Sequence, residues 1–358
     1  MSNKHKIVIL CCFLFGMFAQ LSASEKQNNH TAPTINVKEF ILKHISDDYE
    51  WHLFNVGEKH IAIPLPIIVY SSYSGWHVFM SSEFHNETLT YQGLQIADSG
   101  EYKGKIVEKT SKGQFVKPFD ISITKNVFSL LFSSTLLIII ILWVASSYRK
   151  HGFRNKRGFI LLMEMLIENI NDEVIKPSIG KGYEKYSPYL LTVFFFIFIN
   201  NLIGIVPLFP GGANVTGNIA ITFVLALITF LIVNISGSKE YWREILWPDV
   251  PMWLKVPIPL MPVIELVGIF TKPFALMLRL FANIMAGHAI VLGLTFLIFI
   301  TVSMGPALNS SMTVLSIVFS VFMGFVELLV AYIQALIFTL LSAVFIGLAR
   351  VEPHARHK

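Results

Sequence analysis

The chain has 358 residues, of which 54% are apolar and only 14% charged, with a mean hydropathy of +0.60. Water-soluble domains carry roughly 25% charged residues, so this composition excludes a cytosolic globule and, with apolar runs longer than about 18 residues, defines a polytopic membrane protein. The net charge of +5 does not signal a nucleic-acid partner, because the basic residues cluster beside apolar segments, where they orient a chain in the bilayer.

The opening stretch, MSNKHKIVILCCFLFGMFAQLSAS, combines Lys4 and Lys6 with an apolar core from Ile7 to Leu21 and small residues around Ala23. That is the pattern of a signal peptide over residues 1–23, an uncleaved anchor being the alternative. Both cysteines, Cys11 and Cys12, fall inside it, so a processed chain would carry no thiol for disulfide, metal or nucleophilic chemistry.

Residues 24–120 read as a water-exposed, β-rich domain outside the cytoplasm. Short alternating runs such as HIAIPLPIIVY are broken by turn-forming SYSG and DSGEYKG. Five histidines lie here, His44, His52, His60, His77 and His85, at spacings that match no metal-ligand motif and favour ordinary surface or core positions.

Residues 121–358 form the membrane domain. The first span runs over about 127–148 and ends in YRKHGFRNKR, where Arg149, Lys150, Arg154, Lys156 and Arg157 mark the cytoplasmic side. In GFILLMEMLIENINDEVIKP, Glu164, Glu168, Asn171 and Asp172 share one side of a helix and Ile160, Met163, Ile167, Ile170 and Val174 much of the rest. Such a helix suits the headgroup plane, packing on other protein, or both. Spans at about 189–209 and 218–235 flank the uncharged loop PGGANVTG, whereas the link SGSKEYWREILWPDVPMWLK is charged. Charged connections thus fall on one face and uncharged ones on the other. With an exported N-terminus, five crossings leave the basic C-terminus in the cytoplasm.

The last two apolar runs, 256–302 and 312–349, exceed the roughly 20 residues that cross a bilayer, so tilted helices are expected, with Pro273 a kink site. A re-entrant hairpin within the first is the alternative. Both runs carry groups that lipid rejects: Glu265, Lys272, Arg279, Asn283 and His288 on one, Glu327 and Gln334 on the other. In an antiparallel hairpin turning near Pro306 and Ala307, residues equally far from the turn lie level. Arg279 then meets Gln334 in depth, and His288 meets Glu327. At 100° per residue, however, Arg279 and His288 point to opposite sides of a straight helix, so either the Ala286–Gly287 region bends or one pairing is looser. Wet routes are expected from the uncharged-loop side through His288, Glu327 and Asn283, and from the cytoplasm at Glu265, with Arg279 between them. Arginine does not deprotonate, so it blocks direct proton flow while attracting a carboxylate brought by a partner.

These residues resemble subunit a of the F-type ATP synthase. The resemblance covers about 125–349 and rests on NNLIGIVP at 200–207, TGNIAIT at 216–222, the block from Glu265 through KPFALMLRLFANIMAGH, and ELLVAYIQALIF from Glu327. It implies an all-α polytopic membrane protein of about five helices, the last two long and tilted; the N-terminal β-rich extracytoplasmic domain over 24–120 has no counterpart in the shorter members. It also implies a proton-channel subunit with two offset half-channels facing a ring of c subunits, held by b subunits and the remaining synthase subunits in a bacterial inner membrane. On that resemblance Arg279 displaces the proton from each passing ring carboxylate with Gln334 beside it on the ring-facing side. Asn283, His288 and Glu327 line the outer half-channel and Glu265 the cytoplasmic one. The family exchanges acid and imidazole between the His288 and Glu327 positions, and this chain departs from some members at Gly204, where they have an acid, and Gly268, where they have serine. No cofactor is expected, and without a GxxxxGK[ST] loop nucleotide chemistry belongs to partners. A secondary antiporter is the rival reading, although such transporters carry internal repeats and none is found; a structural anchor is another.

Overall fold

The computed structural model describes residues 47–56, 59–72, 74–85, 90–97, 100–109, 115–151, 158–206, 209, 211–247 and 260–350. The signal segment with its cysteines, most of the basic cluster after the first span, the second half of the charged Trp- and Pro-rich link and the basic tail lie outside them. The described residues divide into two compact units, the first Asp48–Lys125 and the second everything from Asn126 onward together with Asp47.

The first unit contains nine strands in the described residues: β1 (Glu50–Val56), β2 (Lys59–Pro64), β3 (Pro66–Ser71), β4 (Gly75–Met80), β5 (Thr90–Tyr91), β6 (Leu94–Ile96), β7 (Ile106–Lys109), β8 (Phe115–Val116) and β9 (Phe119–Asp120). They pair as β1-β2, β4-β3-β9 and β5-β6-β7-β8, all antiparallel. Period-two alternation sends Ile67, Val69 and Phe79 inward to meet Tyr49, Phe84, Leu94 and Ile106 in one small core. The SYSG break is the turn joining β3 to β4, and Gln92-Gly93, both at positive φ (50° and 85°), make the tight turn from β5 to β6. His77 is buried with its Nε2 2.7 Å from Ser74 Oγ, the satisfied core histidine of the ordinary reading.

In the second unit the helices are α1 (Lys125–His151), α2 (Phe159–Asn169), α3 (Lys176–Ile179), α4 (Ser187–Ile205), α5 (Ile219–Ser236), α6 (Lys239–Leu246), α7 (Leu260–Thr301) and α8 (Pro306–Ala349). Five of them, α1, α4, α5, α7 and α8, are long and apolar enough to cross a membrane. The amphipathic stretch is not one regular helix: a wide π-turn over Ile170–Ile175 separates α2 from α3. The extra residue in that turn re-phases the chain, so that Ile170, Val174, Ile175 and Ile179 all point inward. Phe159, Leu161, Leu162 and Met165 of α2 remain exposed, as an interfacial helix requires.

Helix α7 runs unbroken for 42 residues through Pro273, so the re-entrant alternative is not adopted. Helix α8 has 44 residues and begins six residues before the apolar run, because Pro306 suits a first helical turn and the Ser310 and Ser311 hydroxyls bond back to the Pro306 and Ala307 carbonyls. At 1.5 Å per residue these helices are about 63 and 66 Å long, twice the roughly 30 Å of hydrocarbon, which only steep tilt or projection accommodates. Leu190, Val193, Phe194 and Ile197 of α4 pack with Leu276 and Leu280 of α7 and Ala335, Phe338, Ala343 and Ile346 of α8. Small residues allow close approach: a Cβ on Gly347 would meet the Ser178 carbonyl oxygen at 2.0 Å.

Candidate functional site

Helix α7 sorts its residues by face. Ile269, Leu276, Met277 and Leu280 are buried against the bundle, whereas Lys272, Arg279 and Asn283 are exposed and Glu265 is half-buried. Spacings of seven residues place Glu265, Lys272 and Arg279 along one stripe. Among the described residues Arg279 makes neither a hydrogen bond nor an ion pair. A cation on the outside of an apolar helix, with no partner among the described residues, is costly in lipid.

His288 faces the other way. Its Nδ1 stands 3.9 Å from Glu327 Oε1 on α8, so the equal-depth pairing of these two residues is realised. The Glu327 carboxylate lies over Gly287, where a Cβ would come within 2.7 Å of Oε1. Both side chains line a cleft with room for about 270 Å³, on the order of ten waters. Asn283 and Gln334 line it as well, and Asn283, one turn from Arg279, is the lining residue nearest in sequence to that arginine.

Gln334 lies on the buried side of α8. It is only 6% exposed and turns toward the cleft rather than sharing the open face of Arg279. The reason is periodicity: Ala331, Gln334, Ala335 and Phe338 recur at helical spacing and form the buried stripe of α8. Of the two depth pairings, that of Arg279 with Gln334 is the looser, as the 100° rule allows.

The far wall of the cleft was not singled out from sequence. Asn200, Asn201, Asn214 and Thr216 stand there, supplied by α4 and the uncharged loop. Thr216 Oγ1 donates to Asn201 Oδ1 at 2.6 Å, and Asn201 Nδ2 donates to the Ala331 carbonyl at 3.4 Å, tying the loop and α4 to α8. Ser133 of α1 donates to Asn200 Oδ1 at 2.8 Å. An Asn-Asn pair inside an otherwise apolar helix was the available signal. Gly204 lies here too, with His288 Nε2 3.9 Å from where its Cβ would be, so the imidazole borders the space that an acid would occupy; Gly268 faces open space.

The Glu265 end of α7 has its own polar group. Tyr241 of α6 has its phenol pushed above the ordinary value of 10.0, first by burial and then by the Glu265 carboxylate. Tyr241 lines a narrow crevice of about 20 Å³ with Asn234, Lys272 and Pro273, the space of a single water. Ser238 caps α6 by accepting from Tyr241 N at 3.1 Å, while its own N–H donates to the Ala349 carbonyl at 2.8 Å. Along α7, Arg279 lies about 21 Å from Glu265 and about 13 Å from His288, between the two polar regions.

A multi-span helical protein with a polar cleft, a second polar region and an unpartnered arginine between them has the build of a membrane ion-translocation subunit. The family described as ATP synthase A chain matches residues 127–347, and this chain belongs to that family. The chain is 43% identical to ATP synthase subunit a of Chlorobium phaeobacteroides (strain DSM 266) over 67% of its own length and 69% of that protein. It is 45% identical to ATP synthase subunit a of Pelodictyon phaeoclathratiforme over the same shares, 67% and 69%. Against ATP synthase subunit a of Myxococcus xanthus it is 37% identical over 66% of this chain and 75% of the other. Residues 40–126 match a separate family described only as a domain of unknown function.

Proposed function

We propose that the chain is the stationary proton-channel subunit of an F-type ATP synthase, with its C-terminus in the cytoplasm and its β-rich domain, residues 24–120, outside. Protons enter through the cleft lined by Asn283, His288, Glu327 and Gln334 and are passed to a carboxylate on a c-subunit ring. The ring turns, and the protons leave past Glu265 and Tyr241 on the cytoplasmic side. Arg279 separates the two routes: it cannot carry a proton, and its fixed charge stabilises the ionised form of each arriving carboxylate, whose proton is released to the exit route. Because the two routes are offset, a proton crosses only by riding the ring, and each charge moved across 100 mV contributes about 2.3 kcal/mol to rotation. The b subunits and the remaining synthase subunits hold this chain still, and nucleotide chemistry stays with them.

The observation that carries this reading is the exposure of Arg279 without a partner between the two polar regions. Arg279→Gln tests it in inverted membrane vesicles. ATP-driven acidification is expected to vanish while the complex still purifies with this chain. Retained acidification in a correctly assembled variant would reduce the charge to scaffolding and overturn the proposal.

A further inference from the structure

The sheet β4-β3-β9 has one face in the core of its unit and the other uncovered among the described residues. Register sets Tyr70 opposite both Trp76 and Phe119, and Ile68 opposite Val78. Pairing continues past β9, since Ile121 N donates to the Ile68 carbonyl at 3.0 Å and Ile123 N to that of Pro66 at 3.1 Å. The outward positions of the three strands are therefore Pro66, Ile68 and Tyr70, then Trp76, Val78 and Met80, then Phe119 and Ile121. None is charged. Trp76, Val78 and Phe119 are 60%, 69% and 62% exposed. Contiguous apolar patches of this kind mark an interaction surface rather than a solvated one.

Two observations choose the occupant. Ile121 is four residues before Lys125, where α1 begins, and four extended residues reach at most about 14 Å. Ile121, at one edge of this apolar face, is thus tethered by at most that length of chain to the start of a helix whose Leu131, Ile138, Leu142 and Trp143 are exposed as lipid-facing residues are. The face also has the composition of the headgroup boundary: tryptophan, tyrosine and phenylalanine among aliphatics.

We propose that this face docks on the bilayer surface, seating Trp76, Val78 and Phe119 at the boundary between headgroups and acyl chains, so that the β-rich unit is a membrane-seated module. The inference rests on the chain spanning a membrane, not on the proton-channel reading. A spin label at Val78→Cys tests it, in a chain also carrying Cys11→Ser and Cys12→Ser and assembled into the synthase in lipid nanodiscs. Lys103→Cys, on the exposed turn between β6 and β7, is the aqueous control. The collision ratio of oxygen to a water-soluble nickel chelate is expected to be several times higher at position 78 than at 103. Phe119→Cys should repeat that result, and Trp76→Asp should lower the ratio at 78. A ratio at 78 equal to that at 103 would show a face in water, and protection from both reagents would show a face covered by protein. Either outcome overturns the proposal.

Discussion

His288 Nδ1 and Glu327 Oε1 lie 3.9 Å apart across two different long helices. On the proposed reading this base and this acid, facing each other in one cleft, exchange protons as a pair whose two members are interchangeable in principle. His288→Ala and Glu327→Gln are each expected to slow ATP-driven proton pumping about tenfold, a barrier change of about 1.4 kcal/mol. The exchange variant His288→Glu with Glu327→His should recover most of that loss, because the pair is restored. Quenching of a pH-sensitive dye in vesicles reads all three. Strictly multiplicative losses, with no recovery on exchange, would show that the two residues do not act together.

Two glycines in this unit carry opposite expectations. At Gly287 the neighbour met by an added Cβ is a flexible carboxylate oxygen, at 2.7 Å; at Gly347 it is the backbone oxygen of Ser178, at 2.0 Å. Gly287→Ala should leave assembly and thermal stability nearly unchanged while displacing Glu327 and slowing pumping. Gly347→Ala should force α8 away from α3 and destabilise the chain by about 1–3 kcal/mol, seen as a lower melting temperature in detergent. A Gly287→Ala variant that pumps at the parental rate would show that the position of Glu327 is not critical.

The buried amides make a similar point about stability. Asn201→Ala removes the acceptor of Thr216 Oγ1 and the donor to the Ala331 carbonyl, breaking the two bonds that tie the loop and α4 to α8. A loss of about 1–3 kcal/mol is expected, with Asn201→Asp recovering the Thr216 bond only. Thermal denaturation of the purified chain measures it, and unchanged stability would show that water replaces the lost contacts.

Much of this architecture was legible in the sequence because a bilayer restricts what a chain can do. Runs of apolar residues must become helices there, so the five spans and the hairpin of α7 and α8 followed from length and composition. The His288–Glu327 pairing followed from equal distance to the turn. What could not be read were facts of azimuth and rephasing. Counting residues gives depth, but only packing decides that Gln334 turns inward while Arg279 turns out. The π-turn at Ile170–Ile175 shifts the phase of a pattern that reads as one helix. The wall of Asn200, Asn201 and Asn214 comes from a different helix and loop, and no spacing rule connects it to α7 and α8.

Arg279→Lys separates charge from permanence of charge. Lysine keeps a cation but replaces the planar, always-charged guanidinium with one compact ammonium that can titrate. The variant is expected to pump more slowly than the parent, with a pH profile of its own. Parental rates with a parental pH profile would mean that any cation suffices and that the non-titrating character of arginine is irrelevant.

The last expectation concerns the Glu265 end. The Tyr241 phenol is raised by burial first and by the Glu265 carboxylate second, so its neutral form is favoured in the folded chain. The sign follows: the stabilisation is fully present below the ordinary phenol range and is lost as pH rises past it. The ultraviolet difference between the parent and Tyr241→Phe isolates this one phenol, which should ionise above its ordinary value of 10.0. Glu265→Gln removes the second cause and leaves the first, so the transition should move part of the way back and no further. A transition unmoved by Glu265→Gln would separate the two side chains, and Tyr241 would then have no place beside the cytoplasmic route.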